Sequence, residues 1–307
     1  MVSNGRMSGV ERDAEGVCYH WHSLGPVKWG RMTVACAHFD QLSVSPTVSL
    51  YYLVDEDGHE QAVIRAVRRA CALGTTWFGP LPSQVLNIVE VPEGYGGEAA
   101  DHLILIPAGA FKGDEQAVYR RSLSQLGHEL IHLWNAPSRE ETVSRFLDEA
   151  ITHYVEALLL REEFGEGEYW EQMRRYRNYF LSAQAAHPVP LAEAGLHDRL
   201  TEPVSRGKGP WALCVLHRLL GDRLLPALRT FFDRYRDEGA TLEDFEATVT
   251  EVAGVDLARF FQDWLWGTAS SALLAQKMEE KALATALAAR YETPRSPGPG
   301  NVACSRS

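Results

Sequence analysis

The sequence predicts an α+β fold, with a mixed sheet in the first half followed by a mainly helical half. Strand-like runs cluster before Pro107, and beyond it apolar residues recur at three and four positions. Strands and helices are thus segregated along the chain, which separates α+β from an alternating α/β pattern.

The predicted strands are RMTVACAHF (31–39), TVSLYYLV (47–54), VLNIVEV (85–91) and HLILIP (102–107), rich in Val, Ile, Leu and Tyr and bounded by Pro, Gly or Asp. Between the second and third, HEQAVIRAVRRACALGTTWF (59–78) reads as one amphipathic helix. The first long helix of the second half runs from Asp114 to Asn135, where Leu123, Leu126, Leu130 and Leu133 form an apolar stripe. Pro137 breaks it, and Ser138 with Glu141 has the capping-box spacing that would open the next helix, through FLDEAITHYVEALLLREEF (146–164). Further helices are predicted at 209–221, 223–238, 241–253, 256–267 and from about Ala269 to Tyr291. Residues 1–30 read as a polar, irregular segment and 292–307 as a disordered Pro-, Gly- and Ser-rich tail, leaving one domain over 31–291.

Composition narrows the functions. A net charge of -11 argues against nucleic acid as a partner, since phosphate binding needs clustered Lys and Arg. The five cysteines are scattered with no C-x-x-C pair, which argues against a disulfide scaffold or a thiolate zinc site and favours a reducing compartment. The N-terminus lacks the apolar core of a signal peptide and no apolar run approaches a membrane span, so the expectation is a cytoplasmic protein.

The chemistry concentrates in LGHELIHLWN (126–135). On a helix His128 and His132 lie one turn apart on one face and can aim both imidazoles at one point, as a tetrahedral zinc ion needs. Glu129 is about 100° further round, too far to ligate equally well but placed to meet a water on the metal. This is the H-E-x-x-H arrangement of two ligands and a general base. A third ligand is available in Glu149, 17 positions after His132 across the turn at Pro137. Asp148 and His153 are candidates for orienting the ligands. Among the other histidines, His187, His197 and His217 read as ordinary surface or core residues, the default for His153 as well. His20 and His22 read as a loop pair with no carboxylate nearby.

These motifs resemble those of the gluzincin metallopeptidases, most of all the catalytic domain of the membrane-alanyl-aminopeptidase family, with the glycyl-aminopeptidase family close behind. HELIHLWN matches H-E-x-x-H-x-W, FLDEAITHYVEALLL is similar to the segment carrying the third ligand, and GKGPWALCVLHRLLGD resembles the downstream K-G helix. The likeness spans roughly residues 46 to 268. It implies a stand-alone thermolysin-like zincin domain, Zn2+ on His128, His132 and Glu149, and Glu129 as the base of a peptidase or aminopeptidase acting on short peptides. Without flanking domains, partner subunits of a homo-oligomer could supply the missing walls of the cleft.

Two departures bear on specificity. The family's oxyanion-stabilising tyrosine stands two residues before the K-G pair, and here that position is Arg206. A guanidinium can also donate to an oxyanion, or bind a substrate carboxylate. The family's amine-gripping glutamate falls on Ala99 in a gap-free match and on Glu98 after a one-residue shift. The departures keep two rivals open: a hydrolase of a specialised amide, ester or epoxide substrate, and an inactive zinc-bearing binding module.

Overall fold

The computed structural model describes residues 1–24, 32–53, 59–139, 141–183, 189–195 and 201–292. The expectations for His187, His197 and residues 293–307 lie outside them.

Short strands β1 (Val2–Ser3), β2 (Arg6–Arg12), β3 (Val17–His22) and β4 (Val34–Ala35) precede the main sheet. That sheet is formed by β5 (Phe39–Ser45), β6 (Val48–Leu53), β7 (Leu86–Val91), β8 (Glu98–Ala100) and β9 (Leu103–Pro107), in the order β5-β6-β7-β9-β8. The inner pairs β6–β7 and β7–β9 are parallel and the outer pairs β5–β6 and β8–β9 antiparallel, so the sheet is mixed as expected. All six residues of β7 are buried, because both faces of this central strand are covered. On one face Leu50, Leu86, Ile88, Ile104 and Ile106 pack into the helical core. On the other, Val89 and Leu103 pack against Val2 and Ala35, with Trp21 at the margin.

Over the described residues 1–24, that second layer corrects the reading of the 1–30 segment as irregular. β1 pairs with β4, β2 with β3 in a hairpin, and Asn4 and Asn87 stitch the segment down: Asn4 Nδ2 donates to the Asp101 carbonyl at 2.6 Å and Asn87 Nδ2 to the Gly5 carbonyl at 2.9 Å. His20 and His22 accordingly lie on a strand, and His20 Nε2 is 3.2 Å from Glu11 Oε1, a carboxylate partner the loop reading lacked.

The helices are α1 (Glu60–Phe78), α2 (Glu115–Trp134), α3 (Ile151–Phe164), α4 (Glu166–Ala183), α5 (Gly209–Leu220), α6 (Leu224–Tyr235), α7 (Leu242–Ala253), α8 (Ala258–Phe261), α9 (Ala269–Leu274) and α10 (Glu280–Ala289). Asp114 caps α2 by accepting from the Ala117 amide. α1 packs on α2 at Gly74, where a Cβ would sit 2.7 Å from the Trp134 ring. The Trp134 indole N–H donates to the Gly79 carbonyl at 3.0 Å, closing the contact.

Ser138 does not open a helix. Its amide donates to Asp148 Oδ1 at 2.9 Å and its neighbour Arg139 bonds the Ala240 carbonyl, so these groups serve tertiary contacts and α3 starts only after a π-helical turn at Phe146–Ala150. The single helix expected over 269–291 is two, α9 and α10. Arg177 gathers the Leu274, Gln276 and Met278 carbonyls and the Glu280 carboxylate around one guanidinium, which holds the chain open between them.

Candidate metal centre and active site

α2 buries Leu123, Leu126 and Leu130 completely, which leaves His128, Glu129 and His132 to line a cavity of about 1000 Å³. The His128 and His132 Nε2 atoms are 3.2 Å apart with their rings at 81°, two ring nitrogens turned to one point.

Glu149 arrives from the π turn. Asn135, which ends α2, donates through Nδ2 to the Leu147 carbonyl at 2.6 Å and so ties the turn to the end of the histidine helix. A second π turn, Val204–Lys208, presses on it from the far side: a Cβ on Gly209 would stand 2.3 Å from Ala150 Cβ. Wedged in this way, Glu149 puts Oε2 3.6 Å from His128 Nε2.

The structure brings Arg206 to the same place, its Nε 3.3 Å from Glu149 Oε2 and its Nη1 3.2 Å from Glu202. Glu129 faces Gly97, where a Cβ would fall 2.3 Å from its Oε1, so the loop before β8 and the carboxylate fit each other through the missing side chain. Glu98 lies on β8, at the edge of the sheet and on the cavity wall, where the Thr33 hydroxyl donates to it at 3.5 Å. Ala99 lines the same wall.

One residue does more here than its sequence reading suggests, and another, Glu156, has no such reading. His153 and Glu156 lie one and two turns beyond Glu149 on one helical face, a 4-3 spacing visible in the sequence. Glu156 Oε2 is 3.1 Å from His153 Nδ1 and 3.6 Å from His128 Nδ1, and accepts from the Tyr176 hydroxyl at 2.9 Å. Its Oε1 accepts from Ser124 and Gln172. Asp148 turns away from the cluster's centre, toward Ser138 and Arg145.

Burial and charge tune the cluster. Burial alone would lower His128, but Glu149 and Glu156 beside it outweigh that and raise it to about 10. Burial drives His132 down to about 3, helped by the charge on His128, and lifts Glu129 to about 7. Burial would raise Glu149 and Glu156, yet His128 and its neighbours hold both well below the usual carboxylate range. The cluster therefore favours a positive charge at its centre.

The donors suit zinc. Bonds of about 2.0–2.1 Å at tetrahedral angles put two ligand nitrogens about 3.3–3.4 Å apart, close to the 3.2 Å between His128 and His132. Glu149 Oε2 is buried and makes no hydrogen bond, with the Arg206 guanidinium 3.3 Å away, so a lone pair remains for a further cation. His128, Glu149 and His153 offer donor atoms all within 4.8 Å of one another.

Scaffold and donor set together are those of a zinc-metallopeptidase domain. The family model for the peptidase family M1 domain matches residues 102–264, more than half of the 307-residue chain. The chain belongs to peptidase family M1. Among solved structures it is similar to native yeast LTA4 hydrolase at a TM-score of 0.71 and 15% identity, covering 87% of this chain and 44% of that one. It is also similar to an M1 zinc metallopeptidase from Deinococcus radiodurans at a TM-score of 0.61 and 16% identity, covering 87% and 61%. At such identity these likenesses establish the fold, and the chain spans less than two thirds of either protein. A search of the curated proteins found no significant match.

Proposed function

We propose that the chain is a zinc-dependent hydrolase that cleaves short peptides, with the aminopeptidase mode favoured. The observation that carries this is a half-buried glutamate, Glu129, lining the same cavity as His128, His132 and Glu149. Two of the similar structures support the substrate class: yeast LTA4 hydrolase in complex with bestatin, and a two-domain M1 zinc metallopeptidase bound to L-arginine.

Zinc held by His128, His132 and Glu149 supplies a Lewis acid that polarises a carbonyl and acidifies water. Glu129 takes the proton of the attacking water and delivers it to the leaving nitrogen. Glu156 stands 3.6 Å behind the His128 Nδ1, where its negative charge favours a proton on that nitrogen and leaves Nε2 toward the centre. Arg206 carries a full positive charge to the cavity wall beside Glu149, where it can donate to the oxyanion of the tetrahedral intermediate. The outer edge of β8, which pairs with no other strand among the described residues, can align an extended substrate, and Glu98 on that strand offers a carboxylate for a free amine.

A second reading has its own observation. Arg145, Arg206 and Arg236 all line the cavity, which suits a substrate bearing a carboxylate, including a specialised amide, ester or epoxide.

The decisive variant is Glu129→Gln. It should retain one zinc per chain while losing about 10²–10⁴-fold in turnover on aminoacyl amides and short peptides. Full activity in that variant would refute the mechanism. Zinc-loaded wild type that turns over no aminoacyl amide, yet hydrolyses a carboxylated ester or epoxide, would select the second reading.

A further inference from the structure

Glu156 is a carboxylate that can only accept while ionised, and the Tyr176 hydroxyl already donates to the oxygen that faces His153. The 3.1 Å contact between that oxygen and His153 Nδ1 therefore places the ring proton on Nδ1. In the neutral ring Nε2 then carries a lone pair. That atom is buried and has no hydrogen-bond partner. It stands 3.8 Å from Glu149 Oε2, an acceptor that makes no hydrogen bond and has the Arg206 guanidinium 3.3 Å away. With a donor atom of His128, these two groups form a set of three whose donor atoms all lie within 4.8 Å of one another, close enough for one ion to meet all three.

His128 repeats the arrangement. Its Nδ1 looks toward the same Glu156 oxygen and its Nε2 toward the same Glu149 oxygen. The two rings lie side by side, centroids 4.3 Å apart and planes tilted by 41°. His153 is thus presented to the centre as His128 is, with the same carboxylate behind it and the same carboxylate in front.

We propose that His153 is a fourth protein ligand of the metal, through Nε2, so that the resting centre is held by three imidazoles and Glu149. The inference rests on the zinc reading above and adds to it a donor from α3, one helical turn beyond Glu149. Its consequence is that the water activated by Glu129 would need a fifth position or the displacement of His153, in contrast to centres that keep an open fourth position.

The crystal structure of the zinc-loaded full chain tests this directly. His153 Nε2 should lie within about 2.0–2.3 Å of the ion, as the other ligand nitrogens do. His153→Ala should weaken zinc at least about 100-fold in a chelator competition, beyond the roughly 10–100-fold typical of groups that only orient a ligand. Zinc on His128, His132 and Glu149 with His153 Nε2 beyond 3 Å, a gap of about one ångström over any zinc–nitrogen bond, would overturn this proposal and leave the zinc site intact. Failure to bind stoichiometric zinc, or zinc bound away from these residues, would overturn both. The wild-type measurement decides even if the alanine variant does not fold.

Discussion

Gly97→Ala is a small change that should disable the proposed catalytic base, Glu129, without touching the proposed metal ligands. A Cβ at this position would lie 2.3 Å from Glu129 Oε1 and 3.0 Å from its Cδ. Ordinary contact needs about 3.5 Å, so the carboxylate must retreat by about 1 Å. A misplacement of that size costs about 10²-fold in rate, or about 2.7 kcal/mol of transition-state stabilisation. Residue 97 is exposed, so folding stability should change by no more than about 0.5 kcal/mol. The neighbouring Gly96→Ala is the control, because a Cβ there meets nothing within 4 Å. The assay is steady-state hydrolysis of aminoacyl amides, with zinc content and melting temperature measured alongside. The expected pattern is a fall in kcat for Gly97→Ala at unchanged zinc and Tm, with Gly96→Ala like wild type. Equal activity in all three proteins would refute Glu129 as a base held against this loop.

Two further predictions concern stability. Gly209→Ala sets a Cβ 2.3 Å from Ala150 Cβ, a rigid neighbour beside Glu149, and should cost about 1–3 kcal/mol; an unchanged melting temperature would show that the two π turns are not pressed together. Burial, with Arg161 nearby, holds His217 down at about 4, below its ordinary value in the unfolded chain, and its Nδ1 is 2.6 Å from the Tyr154 hydroxyl. The unfolded chain therefore binds this proton first, so the stability present above about pH 6.5 is lost as pH falls toward 4, by at most about 3 kcal/mol. Denaturant titrations of wild type and His217→Gln across that window should show a shallower pH slope in the variant, and identical slopes would remove His217 from the account.

The parts of this molecule that were legible in sequence are those that one element specifies by itself. The helix from Asp114 carries its own cap, its own leucine stripe and both histidines at one-turn spacing, so its position and its presented face follow from periodicity. Glu149 was within reach because the link after Pro137 is short, although the turn that carries it is π-helical and is set by Asn135 and Ser138, contacts that no local pattern announces. The helix at Glu166–Ala183 went unread amid its many charges, despite Tyr169, Met173, Tyr176 and Phe180 at helical spacing. β8 is three residues long, and β2 and β3 are largely exposed, so none shows the alternation that marks a half-buried strand. Arg177 sets the break between α9 and α10 from about a hundred residues away, which sequence windows do not see. Glu156 was missed for the same reason: its meaning lies in the three helices that meet on it.

That meeting point ties ion retention to the survival of the helical half. Ser124 on α2, His153 on α3 and Gln172 and Tyr176 on α4 all grip one carboxylate, and that carboxylate backs a proposed ligand. Chelation should therefore loosen the seam among three helices in a single event, and a bound ion should act as a rivet through all of them. The working lifetime of such a molecule in solution would then be counted by the residence time of its metal.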